Sequence, residues 1–207
     1  NYDVKSLPGI YLGVVMGRHA GVLTASSALL RQNNYDGPHL IYLPEFSFSY
    51  QNFLEDIKKT HNKYGKCIIA ISEGIQNKNK QLISQEISKT KEYDAHGNIQ
   101  LSGSGSLGDF LAEKIKSKLK LPRVRADTLG YPQRCFLGSA SEVDQKEAFE
   151  IGLHSVKYSC KNPSSFSVGI KERKVFSESY KVQYIQNPLV DIAGKTKHMD
   201  SSFYNKK

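Results

Sequence analysis

Four short clusters carry the residue types needed to grip an anion or a polyol: Met16-Gly17-Arg18-His19, Ser72-Glu73-Gly74, Arg123-Val124-Arg125 and Gly130-Tyr131-Pro132-Gln133-Arg134. Gly17 would let backbone approach a ligand closely. Arg18 could then offer a fork of N–H donors to a phosphate or a sugar hydroxyl, and the start of a following helix would add free N–H groups and partial positive charge. The competing reading is that Gly17 only makes a turn and Arg18 is solvated; spacing alone does not choose between them. A carboxylate at Glu73 can accept from two hydroxyls of a polyol, although read alone it is more simply a loop carboxylate. Tyr131 can offer a hydroxyl and Arg134 a guanidinium, both beside a turn. Arg125 falls inside a strand, where an arginine is costly unless paired, at an edge or at an interface, so it points to an anion or a partner chain. His19, in a first helical turn, reads as structural. Ser102-Gly103-Ser104-Gly105-Ser106 matches neither GxxxxGK[ST] nor GxGxxG and reads as a connection into a helix. There is no HExxH, no GxSxG and no paired Cys/His site, and no aspartate stands out as catalytic.

The elements that must position these residues alternate as in an α/β protein. Ile10 to Met16 reads as a strand, and Ala20 to Leu30 as a helix packed through Leu23, Ala28, Leu29 and Leu30. Pro38 to Leu43 reads as a second strand. Ser49 is a good N-cap for a helix carrying Phe53, Leu54 and Ile57 at helical spacing and ended by Gly65. Lys66 to Ser72 has the continuous apolar centre of a parallel strand buried on both faces. Residues 76–103 read as an exposed excursion with one short helix near 80–88. A helix from about Leu107 to Leu119 and a strand from Pro122 to Leu129 follow. The spacing then predicts a long helix over Ser139–Tyr158 and short strands at Phe166–Ile170, Val175–Phe176 and Tyr180–Ile185. The four clusters thus fall just past the carboxyl ends of strands or within them, where an open α/β sheet places its ligands.

Composition bounds the rest. The chain has 207 residues, 39% hydrophobic and 24% charged, enough for a substantial core without staples and unlike a disordered chain. The longest apolar runs, such as Cys67-Ile68-Ile69-Ala70-Ile71, fall far short of the roughly 20 residues that span a bilayer, so a transmembrane reading is excluded. The chain opens Asn-Tyr-Asp-Val with no apolar leader and no initiator Met, which suggests that residue 1 is not the natural start. Cys67, Cys135 and Cys160 form no CxxC pair, so a disulfide framework or zinc module is not expected and a reducing, cytoplasmic setting is. Cys67 reads as a small buried hydrophobe. The net charge of +9 invites a nucleic-acid partner. The lysines, however, spread along helix faces and tails as solvated residues do, and no aromatic-basic interleaving supports that partner.

Together the clusters resemble the C-terminal half of the phosphofructokinase family, and of its pyrophosphate-dependent branch in particular. The resemblance rests on Met16-Gly17-Arg18-His19-Ala20-Gly21, then Pro44-Glu45, then Glu73-Gly74 ending a strand, then Arg125-Ala126-Asp127-Thr128-Leu129-Gly130-Tyr131-Pro132-Gln133-Arg134. Order and spacing agree over roughly residues 10 to 160, and Val190-Asp191-Ile192-Ala193 resembles the family's end. It implies an α/β fold with a mainly parallel sheet flanked by helices, and a fructose 6-phosphate site. Met16, Gly17 and Arg18 would contact the sugar phosphate, with Arg18 also steadying charge on the phosphoryl group in transfer. Glu73 would hold sugar hydroxyls, Tyr131 and Arg134 the sugar's phosphate, and Arg125 would reach that phosphate in a neighbouring subunit of a homo-oligomer. Tyr131 in place of the His of many ATP enzymes, and Cys135-Phe136 in place of their Gly-Gly, favour pyrophosphate over ATP.

The chain departs from the family in two respects. Gly9 stands where a second inter-subunit arginine is expected. The Gly-Gly-Asp donor loop and the Thr-Ile-Asp-Asn-Asp motif with the general base, both in the family's N-terminal half, are absent, and with them the expected Mg²⁺ site; no metal ligand is assigned here. The segment alone is therefore expected not to turn over. The resemblance divides it into 1–132 (sugar-phosphate domain), 133–187 (crossing back to the donor domain) and 188–207 (tail). The rivals are an ATP-dependent enzyme and a non-catalytic, sugar-phosphate-binding regulatory subunit of the same fold.

Overall fold

In a computed structural model of the chain, residues 6, 8–29, 31–87, 105–130, 132–161, 164–171, 180 and 182–204 are described. Two compact units emerge, Asn1–Cys135 with Lys197–Lys207, and Phe136–Thr196.

The first unit is built on the apolar strand β3, Lys66–Ser72, whose residues from Cys67 onward are all buried. Strand β1, Gly9–Val15, runs parallel to it from Gly9↔Lys66 to Val15↔Ser72. Strand β2, Leu40–Tyr42, lies parallel on the far side of β3, and β4, Val124–Thr128, parallel on the far side of β1, giving the order β2-β3-β1-β4. Parallel neighbours need crossovers. Helix α2, Tyr50–Tyr64, leads from β2 to β3, and α4, Ser106–Leu119, from the short helix α3, Ile83–Ile87, to β4. The local signals that start and stop α2 are those read from the sequence: Ser49 Oγ accepts from the Asn52 amide at 3.4 Å, and Gly65 ends the helix at φ 69°.

One face of the sheet makes the core. Ile10, Leu12, Val14, Cys67, Ile69 and Ile71 pack against Phe53, Ile57, Leu111 and Ile115 of α2 and α4. Each buried Val, Leu, Ile or Phe side chain among them contributes about 1.5–3 kcal/mol by leaving water. Cys67 is the buried hydrophobe expected, and its burial pushes the thiol up to about 12. Among the described residues no helix is long and apolar enough to cross a membrane.

The stretch after β1 differs from expectation. Its helix, α1, spans only Val22–Ser26, with Thr24 as its buried residue, while Leu23 is 54% and Leu29 82% exposed. The hydroxyls of Ser26 and Ser27 bond back to the carbonyls of Leu23 and Thr24 at 2.7 and 2.5 Å. They compete there with helical amides, and the backbone continues in tight turns. Leu30, Val175-Phe176 and residues 88–103 of the excursion lie outside the described residues.

In the second unit α6, Glu142–Ser159, is capped by Ser141, whose Oγ accepts from the Asp144 amide at 3.2 Å. Strands β5, Phe166–Ile170, and β6, Tyr184–Pro188, form an antiparallel pair. The final strand sits later than the sequence pattern placed it, because its register runs Phe166↔Pro188 to Ile170↔Tyr184. Tyr158 Oη donates to the Tyr184 carbonyl at 3.2 Å and the His154 ring lies 4.6 Å from that of Tyr184, tying α6 to β6. Two short helices of four residues each lie apart from these: α5, Pro132–Cys135, in the first unit, and α7, Leu189–Ile192, in the second.

His39 accepts from the Ile68 amide through Nδ1 at 3.0 Å, and burial, with Lys66 and Arg31 nearby, lowers its pKa from the ordinary 6.5. The unfolded chain takes up that proton more readily, so stability is full above about pH 6.5 and falls as pH drops below it. Replacing His39 by Asn, which keeps an acceptor near Nδ1, should flatten this slope in denaturant titrations at several pH values. Gly152, exposed on α6 with open space where a Cβ would sit, should stabilise the chain by about 0.5–1 kcal/mol when changed to Ala, measured by the same titration.

Candidate functional site

Three loops leave the carboxyl ends of β1, β3 and β4 side by side. After the last register pair, Val15↔Ser72, the Glu73 amide continues the ladder by donating to the Val15 carbonyl at 2.9 Å. The strands then exchange side-chain bonds. Gly17 N–H donates to Glu73 Oε1 at 3.3 Å, Ser72 Oγ donates in a short bond to the Gly17 carbonyl, and Gly74 N–H donates to Ser72 Oγ at 3.2 Å. Gly17 holds φ 147°, a conformation that side chains resist. A Cβ on Gly74 would lie 2.0 Å from the Arg18 carbonyl oxygen, so only glycine lets the two loops meet this closely. The Arg18 backbone is thereby fixed beside Glu73, and both residues are half-buried. Glu73 also lines a small cavity with Val14, Ser84, Gly105 and Thr128.

The third loop follows β4. The Leu129 amide donates to the Val14 carbonyl at 3.0 Å, which carries the sheet one residue past β4, and α5 begins soon after. Exposed Arg134 lies on α5 and its Nε donates to the Met16 sulfur at 3.3 Å. Sulfur is a weak acceptor, so this contact orients Arg134 over the first loop and leaves the guanidinium available for a stronger one. Met16, Gly17, Arg18, Glu73 and Arg134 are thus brought together. Tyr131 lies outside the described residues.

Arg125 is not part of this gathering. It pairs with Tyr11 inside the sheet, four residues before β1 ends, roughly 13 Å back from the loops at 3.3 Å per residue. It is exposed on the face opposite the core, in a strand alternating half-buried and exposed residues.

Sequence reasoning missed two contributors. Ser72 was read only as the neighbour of Glu73, yet its hydroxyl joins Gly17 to Gly74; the signal was a lone hydroxyl ending an apolar strand. Residues near the C-terminus also return to this edge. His198 Nδ1 and the His19 carbonyl are 2.8 Å apart, and the Met199 amide donates to Glu45 Oε1 at 3.0 Å. Among the described residues no group of three or more His, Cys, Asp or Glu side chains is placed to hold a metal ion.

An open parallel sheet whose carboxyl edge gathers a Met-Gly-Arg loop, a carboxylate and a second arginine is the arrangement of the α/β proteins that carry their polar groups past the carboxyl ends of the strands. The phosphofructokinase family model matches residues 3–159, and the chain belongs to that family. It is 48% identical over 203 residues to the pyrophosphate–fructose 6-phosphate 1-phosphotransferase of Rhodospirillum rubrum, covering 98% of this chain and 49% of that protein. To the protein of the same name from Xanthomonas campestris it is 32% identical, covering 95% and 45%. The fold is that of the pyrophosphate-dependent phosphofructokinase from Marinobacter aquaeolei, with a TM-score of 0.74 at 23% identity over 99% of this chain and 46% of that one. The chain therefore spans about half the length of the curated relatives it matches.

The meeting of Gly74 with Arg18 gives a direct prediction. Gly74→Ala should destabilise the chain by about 1–3 kcal/mol, because backbone rather than a flexible side chain must give way. Denaturant titration checks this, and accelerated amide exchange should be confined to the loops after β1 and β3.

Proposed function

We propose that this chain is the sugar-phosphate half of a pyrophosphate-dependent 6-phosphofructokinase, which transfers a phosphoryl group from pyrophosphate to O1 of fructose 6-phosphate and releases phosphate and fructose 1,6-bisphosphate. The observation that carries the reading is the gathering of Met16-Gly17-Arg18, Glu73 and Arg134 at one sheet edge. The names of the relatives and the Cys135-Phe136 pair support pyrophosphate as donor. In the reaction a P–O bond of pyrophosphate breaks, a new bond forms to O1, and the O1 proton leaves to a base. Such transfers depend on positioning and on stabilising spread negative charge. Arg18, its backbone fixed by Gly17 and Gly74, would present its guanidinium to the moving phosphoryl group. The Glu73 carboxylate, oriented by the Gly17 amide, would accept from sugar hydroxyls. Arg134, with Tyr131, would hold the 6-phosphate.

Arg125, set back on the sheet's other face, suits a phosphate in a neighbouring subunit's site, so the parent protein would be a homo-oligomer. The base and the Mg²⁺ that accompanies pyrophosphate would belong to the other half of the parent, as would the domain to which 133–187 cross before the tail 188–207. A cytoplasmic role in glycolysis completes the proposal.

The test is calorimetric titration with fructose 6-phosphate of the chain and of the full-length parent, beside Arg134→Ala and Glu73→Ala. Saturable binding weakened at least tenfold by each substitution is expected, since each removes one partner of a charge-assisted contact. Binding indifferent to both substitutions, or no binding by either folded protein, would overturn it.

A further inference from the structure

We propose that Glu45 and the C-terminal segment 197–204 form a latch that holds the Arg18 loop in place from its downstream side, making Glu45 a positioning residue for Arg18. The proposal rests on the sugar-phosphate reading only for the consequence to binding; the latch itself stands on geometry.

Arg18 lies between two anchored neighbours. Upstream, Gly17 is held through its amide by Glu73 and through its carbonyl by Ser72. Downstream, the anchors come from elsewhere in the chain. Glu45 Oε1 accepts from the Gly21 amide at 2.9 Å and from the Met199 amide at 3.0 Å, so a single carboxylate oxygen ties the end of the Arg18 loop to the C-terminal segment. The His19 carbonyl is met by His198 Nδ1 at 2.8 Å, which requires the proton on that nitrogen. The segment has its own fastenings. Met199 is buried, Asp200 caps the turn at 201–203 by accepting from the Ser202 amide at 2.8 Å, and the Tyr204 ring stands edge-on to Phe46 at 4.7 Å. Phe46 follows Glu45 directly, so the segment grips the same turn at two points.

This arrangement pre-orders the loop. A short glycine-flanked loop carrying a long arginine would otherwise surrender backbone freedom on every binding event. Two charge-assisted N–H bonds to a half-buried carboxylate are strong enough to fix it in advance.

Four forms of the chain test the latch: unmodified, Glu45→Ala, Glu45→Gln and a chain ending at Thr196. Glu45→Gln retains an acceptor oxygen for both amides. Amide hydrogen exchange across residues 17–21 should quicken in Glu45→Ala and in the truncated chain and return towards the unmodified rate in Glu45→Gln, while exchange in β3 stays slow and reports an intact fold. Fructose 6-phosphate binding should weaken roughly tenfold in Glu45→Ala, the loss expected for charge-assisted bonds. In an Arg18→Ala background the same substitution should cost little more, because it acts through Arg18. Unchanged exchange at residues 17–21, or a binding loss that adds in full to that of Arg18→Ala, would overturn the latch. Should the unmodified chain and its parent take up no fructose 6-phosphate, the sugar-phosphate reading fails and the exchange data alone decide the latch.

Discussion

The register between β1 and β3 ends at Val15 and Ser72, and the amide of Glu73 carries that pairing one step further to the Val15 carbonyl. From this point the two chains part, but they part at a fixed relative height. Gly17 is therefore level with Glu73, and Ser72 with the Gly17 carbonyl, so the arginine and the carboxylate stand together without any contact between their own side chains being needed. A slip of one residue in β3 would send Ser72 and Ala70 to the core face and Ile69 and Ile71 away from it. Burial of the apolar face thus sets the height of the polar edge: the same pairing that excludes water from Ile71 aims Glu73.

The opposite face of the sheet follows different rules. Where α2 and α4 cover it, the sheet is apolar; on the other side Tyr11, Arg125 and Asp127 alternate with the core positions of β1 and β4. β4 lies at the edge of the described sheet, where an arginine costs little. The two functions of β4 are separable along its length. Its inward residues pack Val124 and Ala126 against the core, and its carboxyl end delivers the loop to Arg134, while Arg125 serves neither.

Much of this was legible locally. Ser49 and Gly65 bracket α2, Ser141 opens α6, and the unbroken apolar run of β3 marks a central parallel strand, because caps and periodicity are written within a few residues of the structure they cause. The site loops were legible as glycine-flanked arginines and a glutamate after strands, and their assembly from the resemblance to a family. What could not be read has a distant cause. The shortness of α1 comes from two serine hydroxyls choosing backbone carbonyls, a choice that composition does not reveal. The return of Met199 to Glu45 spans 154 positions, and nothing in the pattern around either residue announces the other. Arg125 was legible as an oddity, since a strand interior rarely tolerates an arginine, but its distance from the loops appears only once the register is known.

The strand order also has a consequence in time. Strand β1 is made before both of its partners in the sheet: β3 begins roughly 60 residues on and β4 roughly 110. At synthesis rates of about 5–20 residues per second, β1 waits some seconds for its first neighbour and about twice as long for its second. Through that interval neither of these neighbours covers its apolar residues Ile10, Leu12 and Val14 or pairs its amides, and an unpaired strand edge is a template for other chains. A sheet edge assembled from strands so far apart in the chain therefore depends, during synthesis, on each strand keeping to its own neighbour until that neighbour is made.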